Sequence, residues 1–247
     1  MVREVITSKD NPRIKELRKL HKKKARSRTG MFLIDGEHMV EEAVGSDQVI
    51  HHIIALEDYS FTFDASRFEV ILVSLPVMKT LSQLETPQGI MAAVSYAAPE
   101  AAGNKVLVLD DVQDPGNFGS LIRTADAFGF DRVVASPGTV DPFSDKVLRS
   151  AQGSTFHVSV EVADIKSVIE SFQGLSIGTS LAQADYLDDV VQQDPLLIVL
   201  GNEGRGVSEE VLDLVDRKVK IHMPGRSESL NVAIAGGIFM HHFKALK

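Results

Sequence analysis

The chain has 247 residues, 44% of them apolar and 24% charged, with a mean hydropathy of +0.02. These proportions suit one large globular domain or two small ones, and they exclude a disordered chain. The best apolar run, Leu230 to Met240, is shorter than the roughly 18 residues of a membrane span and contains Asn231. Charges recur from Arg3 through Arg28, which leaves no signal-peptide core, so a cytoplasmic protein is expected.

The sequence contains no cysteine. That removes disulfides, thiolate nucleophiles, zinc–thiolate sites and iron–sulfur clusters together. His51-His52 and His241-His242 are adjacent pairs, whose side chains diverge on either a strand or a helix, so no metal is expected.

The net charge of -8 is unevenly spread. Residues 1–30 hold 11 Lys/Arg against three acidic residues, whereas the remaining 217 hold 15 basic against 31 acidic. A basic arm on an acidic body points to local contact with a polyanion, or else to a solvated helix face. Lys15, Arg18, Lys19, Lys22 and Arg26 fall at helical spacing beside Ile14, Leu17 and Leu20. One helix with a cationic and a buried stripe is therefore expected there, with the five cations as candidate polyanion contacts.

Beyond that helix, a strand is expected at Met31 to Ile34 and a helix from about Glu37 to Val44. Strands follow near Val49 to Ala55 and Phe68 to Val73, then a helix opened by Ser74 and Pro76, then a strand at Ile90 to Tyr96. The small-residue stretch Ala97 to Gly103, with Pro99, reads as a linker. Domains are accordingly expected at 1–98 and 105–247, joined by 99–104.

In the second domain Val106 to Asp110, Arg132 to Ala135, Leu175 to Gly178, Leu196 to Leu200 and Val219 to Ile221 are short apolar runs. Helical stretches such as Ser120 to Phe128, Asp145 to Ala151 and Ser208 to Val215 separate them. This alternation predicts α/β architecture, a parallel sheet covered on both faces.

Three segments carry more polar and glycine residues than packing alone explains. In the first, Asp110-Asp111-Val112-Gln113-Asp114-Pro115-Gly116-Asn117 leads from a buried strand into a helix bearing Arg123. It reads as a ligand-binding strand end or as a tight turn with a solvated arginine. The second, Gly201-Asn202-Glu203-Gly204-Arg205-Gly206, fits neither the P-loop nor the dinucleotide-binding spacing. In the third, Ile221 to Gly237, a polar loop opens a helix containing Gly236-Gly237. Paired glycines cost a helix roughly 1 kcal/mol each, which implies a close neighbour. Ser229 and Asn231 are placed to cap that helix.

Taken in order, Asn117-x-Gly119-x-x-x-Arg123, then Gly201-Asn202-Glu203-Gly204-x-Gly206, then Ser229-Leu230-Asn231-Val232 resemble the three signature motifs of one family. The match is to the SpoU (TrmH-type) branch of the SPOUT RNA methyltransferases, over residues 105–247. The N-terminal part is similar to that branch's substrate-binding extension, on Ser8-Lys9-Asp10-Asn11-Pro12 and Phe32-Leu33-Ile34-Asp35-Gly36.

The resemblance implies a homodimer whose parallel sheet carries a deep trefoil knot, with a small ribosomal-protein-like α/β domain for RNA. It implies methyl transfer from S-adenosylmethionine to a ribose 2′-hydroxyl of structured RNA, with rRNA favoured over tRNA by the separate basic domain. By position it implies cofactor contacts at Ser180, Gly201, Ile221, Met223 and Leu230. The family commonly has Ile-Pro-Met where this chain has Ile221-His222-Met223-Pro224. The catalytic set it implies is Arg123 with Asn117, Glu203, Ser229 and Asn231. A guanidinium holds its proton too tightly to serve well as a base, so Arg123 is expected to grip phosphate and the developing oxyanion. Glu203 would then orient Arg123 or shape its loop, Asn117 would position that arginine or the ribose, and Ser229 and Asn231 would hold the loop and the 2′-hydroxyl. Arg149 is a further phosphate contact or a solvated side chain. A non-catalytic RNA-binding assembly factor and a tRNA or base methyltransferase are the rival readings.

Overall fold

The computed structural model describes residues 4–96 and 103–244. Two units form: residues 1–97 with 143–156, and 98–142 with 157–247. The expected linker at 99–104 lies outside the described residues except for Gly103 and Asn104.

In the first unit Asn11 opens α1 (Pro12–Lys19), its side chain accepting from Arg13 N at 2.9 Å while Pro12 occupies the first turn. The helix stops at Leu20. A second helix, α2 (Lys23–Thr29), follows and ends at Gly30, whose φ of +66° favours glycine. The single basic helix expected from the spacing is therefore two, and the break changes Arg26. That side chain is 5% exposed and donates to the Leu20 carbonyl at 2.8 Å, closing the junction between the helices. Lys15, Arg18, Lys19 and Lys22 remain exposed.

The remaining elements are β1 (Met31–Asp35), α3 (Glu37–Gly45), β2 (Ile50–Leu56), β3 (Val70–Val73), α4 (Leu75–Leu81) and β4 (Ile90–Ser95). They give a sheet of order β1-β4-β2-β3, with only β2 and β3 parallel. Alternation along β1 divides two cores. Phe32 and Ile34 join Met39 and Val40 of α3 on one face, and Leu33 joins Ile14, Leu17, Met78 and Leu81 on the other.

The second part of the chain contributes β5 (Lys105–Asp110), α5 (Pro115–Ala127), β6 (Arg132–Ala135), α6 (Asp145–Ala151), β7 (Ser159–Val162) and α7 (Ile165–Ser171). It continues with β8 (Leu175–Thr179), β9 (Asp185–Tyr186), β10 (Leu196–Gly201), α8 (Glu209–Leu212), β11 (Arg217–Lys220) and α9 (Val232–His242). The strands form one parallel sheet of order β7-β6-β5-β10-β8-β11-β9. Its central strands β5 and β10 are buried almost throughout, as their unbroken apolar runs require. The chain runs outward from β5 to β7, returns to β8, and only then inserts β10 beside β5. Such a reversal leaves a crevice at the carboxyl ends of the strands.

Residues 143–156, expected within the second domain, instead pack in the first unit. The Phe143 ring lies 4.3 Å from Tyr96 and 4.8 Å from Phe32. Leu148 and Phe156 complete the core around Phe32. A seven-residue amphipathic helix fits either sheet by periodicity; tertiary packing assigns it.

At the start of β5, Lys105 is 3% exposed. Its ammonium donates to the Phe243 carbonyl at 2.5 Å and pairs with Asp194 at 2.8 Å, capping the carbonyl end of α9. Among the described residues no helix is long and apolar enough to cross a membrane, and no His/Asp/Glu cluster could hold a metal ion.

Candidate active site

The site grows from the ends of β5 and β10. These strands pair in register, with Gly201 opposite Asp110 at their carboxyl termini, so the loops that follow leave side by side. Asp110 accepts Ser208 N at 2.9 Å and the Ser208 hydroxyl at 2.7 Å, which ties one strand end to the close of the other loop. Within that second loop, Asn202 and Gly206 exchange backbone hydrogen bonds at 2.8 and 3.0 Å. The turn needs Gly206 at φ +74°.

Gly201 is required for a different reason than a ligand's approach. A Cβ there would fall 2.0 Å from backbone atoms of Gly206 and Val207, so its own loop occupies the space.

Asp111, at φ +61°, makes the sharp turn out of β5. A non-glycine residue holds this conformation only where its neighbours over-determine it. Here Gln113 Nε2 donates to the Asp111 carbonyl at 3.1 Å, to its Oδ1 at 2.7 Å and to the Gly138 carbonyl at 2.8 Å. Asn202 Nδ2 also donates to the Asp111 carbonyl at 2.8 Å, and Arg205 forms an ion pair with its carboxylate. None of Asp110, Asp111, Gln113, Asn202 and Arg205 was singled out from sequence. The polar run after an apolar strand is the signal they leave there.

Asp114 then caps α5, accepting Asn117 N at 2.9 Å. The Glu203 carboxylate reaches across from the β10 loop and accepts Gln113 N at 3.1 Å, Asp114 N at 3.0 Å and Asn117 Nδ2 at 3.1 Å. Burial pushes Glu203 up. The hydrogen bonds from Asp114 N, Asn117 and Gln113 N outweigh that and hold its carboxyl below the usual value.

The third segment closes the cluster. Asn231 caps α9 with its Oδ1, which accepts Ala233 N at 2.9 Å and Ile234 N at 3.3 Å. Its Nδ2 donates to Asn117 Oδ1 at 2.9 Å. Both ends of the Asn117 amide are therefore held, one by each of the other two segments.

Arg123 and Ser229 stand apart from this junction. Arg123 lies six residues beyond Asn117 on α5, about 9 Å along the axis. It is exposed and makes no ion pair or hydrogen bond among the described residues. Ser229 is exposed, and its carbonyl accepts the Ser227 hydroxyl at 2.8 Å.

Ser180, Gly201 and Ile221 sit at or just past the carboxyl ends of the adjacent strands β8, β10 and β11. Met223 and Leu230 follow in the loop to α9. Ile221 and Met223 are half-buried and Leu230 is 37% exposed. Apolar side chains left open beside a strand reversal suit the face of an adenine ring. The Ser180 hydroxyl is engaged locally, donating to the Ala182 carbonyl at 3.1 Å. β11 ends at Lys220, one residue before the expected close of that strand.

Residues 104–241 match the SpoU rRNA Methylase family model, and residues 11–92 match the MRM3-like substrate binding domain. The chain belongs to the SpoU rRNA methylase family. Among SpoU relatives, the 23S rRNA (guanosine(2553)-2'-O)-methyltransferase RlmP of Bacillus subtilis is 39% identical over 97% of this chain and 98% of its own length. A TrmH-family RNA methyltransferase structure from Porphyromonas gingivalis superposes with a TM-score of 0.84 at 29% identity, covering 95% and 98% of the two chains. An AdoMet-bound rRNA methyltransferase from Sinorhizobium meliloti gives a TM-score of 0.84 at 27% identity over 97% and 96%. The SpoU match spans the parallel sheet and all three loop segments.

In the first unit the candidate RNA contacts differ in availability. Lys15 pairs with Asp10 at 3.0 Å and Lys19 with Glu16 at 2.6 Å. Both are exposed pairs, readily exchanged for phosphate in salt water. Arg18 and Lys22 are exposed without an ion pair among the described residues. Arg149 pairs with Asp145 on α6 at 2.7 Å.

Proposed function

We propose that this chain methylates a ribose 2′-hydroxyl of 23S rRNA, with S-adenosylmethionine as methyl donor. The observation that carries this reading is the Glu203–Asn117–Asn231 junction, which joins all three SpoU segments at the strand reversal. The full-length similarity to RlmP and the AdoMet-bound neighbour support the substrate and the donor.

When bound, the donor supplies a methyl group activated by its sulfonium. The residues that would hold it are Ile221, Met223 and Leu230 around the adenine, with Ser180 and Gly201 at the neighbouring strand ends. The protein's own task is to align the 2′-oxygen and stabilise it as its proton leaves. Arg123, charged and unpaired among the described residues, grips the adjacent phosphate and the developing oxyanion. Asn117, fixed at both ends of its amide, positions the ribose side of the site, and Ser229, exposed two residues before the α9 cap, borders the 2′-hydroxyl. Glu203 orients Asn117 rather than accepting a proton.

The remaining parts of the reading follow. Residues 1–98, with 143–156 packed in the same unit, form the RNA-binding domain, with Lys15, Arg18, Lys19 and Lys22 on phosphates, and the rest of 105–247 the methyltransferase domain. The close approach of α9 at Gly236 to Leu121 and Leu200 supports the knotted path that the family resemblance implies. Ile234 and Ile238, one turn apart on α9 and 58% and 38% exposed, support a homodimer through that face. A 23S rRNA substrate supports the cytoplasmic location expected from the sequence.

The test is transfer of labelled methyl to total RNA from a strain lacking the protein, with Arg123→Ala alongside. Label in alkali-resistant dinucleotides of 23S rRNA, lost in the variant, is expected. Label in tRNA would move the substrate, and donor binding without transfer to any RNA would favour a non-catalytic assembly factor.

A further inference from the structure

Folding leaves almost no aromatic ring of this chain exposed. Of its twelve phenylalanines and three tyrosines, all among the described residues, Tyr186 alone is exposed, at 45%. It sits on β9, the outermost strand of the parallel sheet, opposite Lys220 of β11. That register puts the two side chains on one face, and the Lys220 ammonium lies 5.0 Å from the centre of the Tyr186 ring. Two residues further on, the His222 ring stands 5.3 Å from Tyr186 at an angle of 72°. It too is exposed.

Two open rings at a steep angle make a corner, held in place by the strand register and by the cation beside it. A planar group stacked on one ring meets the other edge-on. Lys220 has no ion pair among the described residues, whereas the neighbouring Arg217 is taken by Asp185 at 2.6 Å. One cation therefore remains for one anionic group. Asp188 and Asp189, exposed in the turn after Tyr186, repel any longer run of phosphates. A planar ring carrying a single nearby negative charge describes one nucleotide with its base unpaired.

The corner adjoins the candidate donor site along the chain. Ile221 and Met223, the candidates for the adenine face, are half-buried, while His222 between them is exposed. We infer that Tyr186 and His222 stack an unpaired base of the RNA substrate, close to the ribose that is methylated, with Lys220 on its phosphate. Stacking uses the π-face that every base has, so the corner fixes the position of the RNA without reading its sequence. The inference rests on the RNA-substrate reading. It adds a base contact to the unit that holds the chemistry, apart from the phosphate contacts of α1.

The experiment is fluorescence anisotropy of the full chain with a labelled short oligoadenosine and with an abasic strand of the same length and charge. Tyr186→Ala should weaken oligoadenosine binding by on the order of tenfold and leave the abasic strand unchanged. Tyr186→Phe keeps the ring and should bind oligoadenosine as the native chain does, and His222→Ala should lose several-fold. The salt slope should not move in Tyr186→Ala, because no phosphate contact is removed. Native-like oligoadenosine binding by Tyr186→Ala, equal losses on both strands, or a Phe variant as weak as the Ala variant would overturn the inference. So would weaker binding of S-adenosylmethionine by Tyr186→Ala with RNA binding intact, which would give the corner to the donor's adenine. Methyl transfer to 23S rRNA on the same preparations separates the two readings. Transfer without base-dependent binding removes only the corner, and base-dependent binding without transfer removes only the methyltransferase assignment.

Discussion

Glu203 and Asn117 lie on different strand-end loops, yet the Glu203 carboxylate accepts the Asn117 amide at 3.1 Å. The same carboxylate takes two backbone N–H groups of the α5 entry loop. With its oxygens engaged and its pKa lowered, Glu203 is a poor proton acceptor and a good clamp. Its part of the loop's stability is full above the ordinary carboxyl value of 4.5 and is lost as the pH falls through the lower folded value. Melting temperature followed from about pH 6 to pH 3 should therefore fall more steeply in the native chain than in Glu203→Gln. Parallel curves would remove the clamp.

Asn231 does two things with one side chain, and substitution can separate them. Asn231→Asp keeps an N-cap acceptor for α9 but loses the donor to Asn117. It should melt close to the native chain and lose on the order of tenfold to a hundredfold in methyl transfer. Asn231→Ala should also lose ~1 kcal/mol of stability. An active Asp variant would show that the Asn117 contact is dispensable.

Arg123 is exposed and contributes no ion pair among the described residues. Arg123→Ala should leave stability within about 0.5 kcal/mol while reducing methyl transfer by on the order of a hundredfold or more. Lysine should rescue it only in part, because it lacks the planar fork.

The two adjacent glycines of α9 make opposite predictions. A Cβ at Gly236 would meet Leu121 Cδ2 at 2.4 Å and Leu200 Cδ1 at 2.6 Å, both in the packed core. Gly236→Ala should cost ~1–3 kcal/mol. At Gly237 the nearest atom is Thr124 Cγ2 at 3.8 Å, so alanine fits and should gain up to ~1 kcal/mol from helix propensity. Thermal denaturation of the pair decides it, and equal effects would contradict the packing of α9 on α5 and β10.

Arg18→Ala and Lys22→Ala should each lower the salt dependence of RNA binding by roughly one phosphate's worth of released counterions without affecting melting. Arg26→Ala should do the reverse, lowering the melting temperature and sparing the salt slope, because its guanidinium closes the α1–α2 junction. A salt-slope change in Arg26→Ala would place that side chain back on the RNA face.

Local order along the chain decided much of this molecule in advance. The apolar runs of β5 and β10 required a sheet covered on both faces, and the polar, glycine-marked segments after them announced where ligands approach. Asn231 read correctly as a helix cap because a cap depends only on residues two and three places away. What the sequence could not express was contact between distant segments. Spacing put Arg26 on a cationic stripe, but the chain breaks at Leu20 and turns it inward. Periodicity made α6 a helix without saying which sheet it covers, and packing against Phe32 and Ile34 answered that. Gly201 and Gly236 looked alike as close approaches, yet one is filled by its own loop and the other by two leucines. The Asn117 amide gained both partners only when three strand ends met at the reversal. Periodicity and capping are short-range, set by backbone geometry over a few residues; the site is long-range, and only the folded sheet brings its parts together.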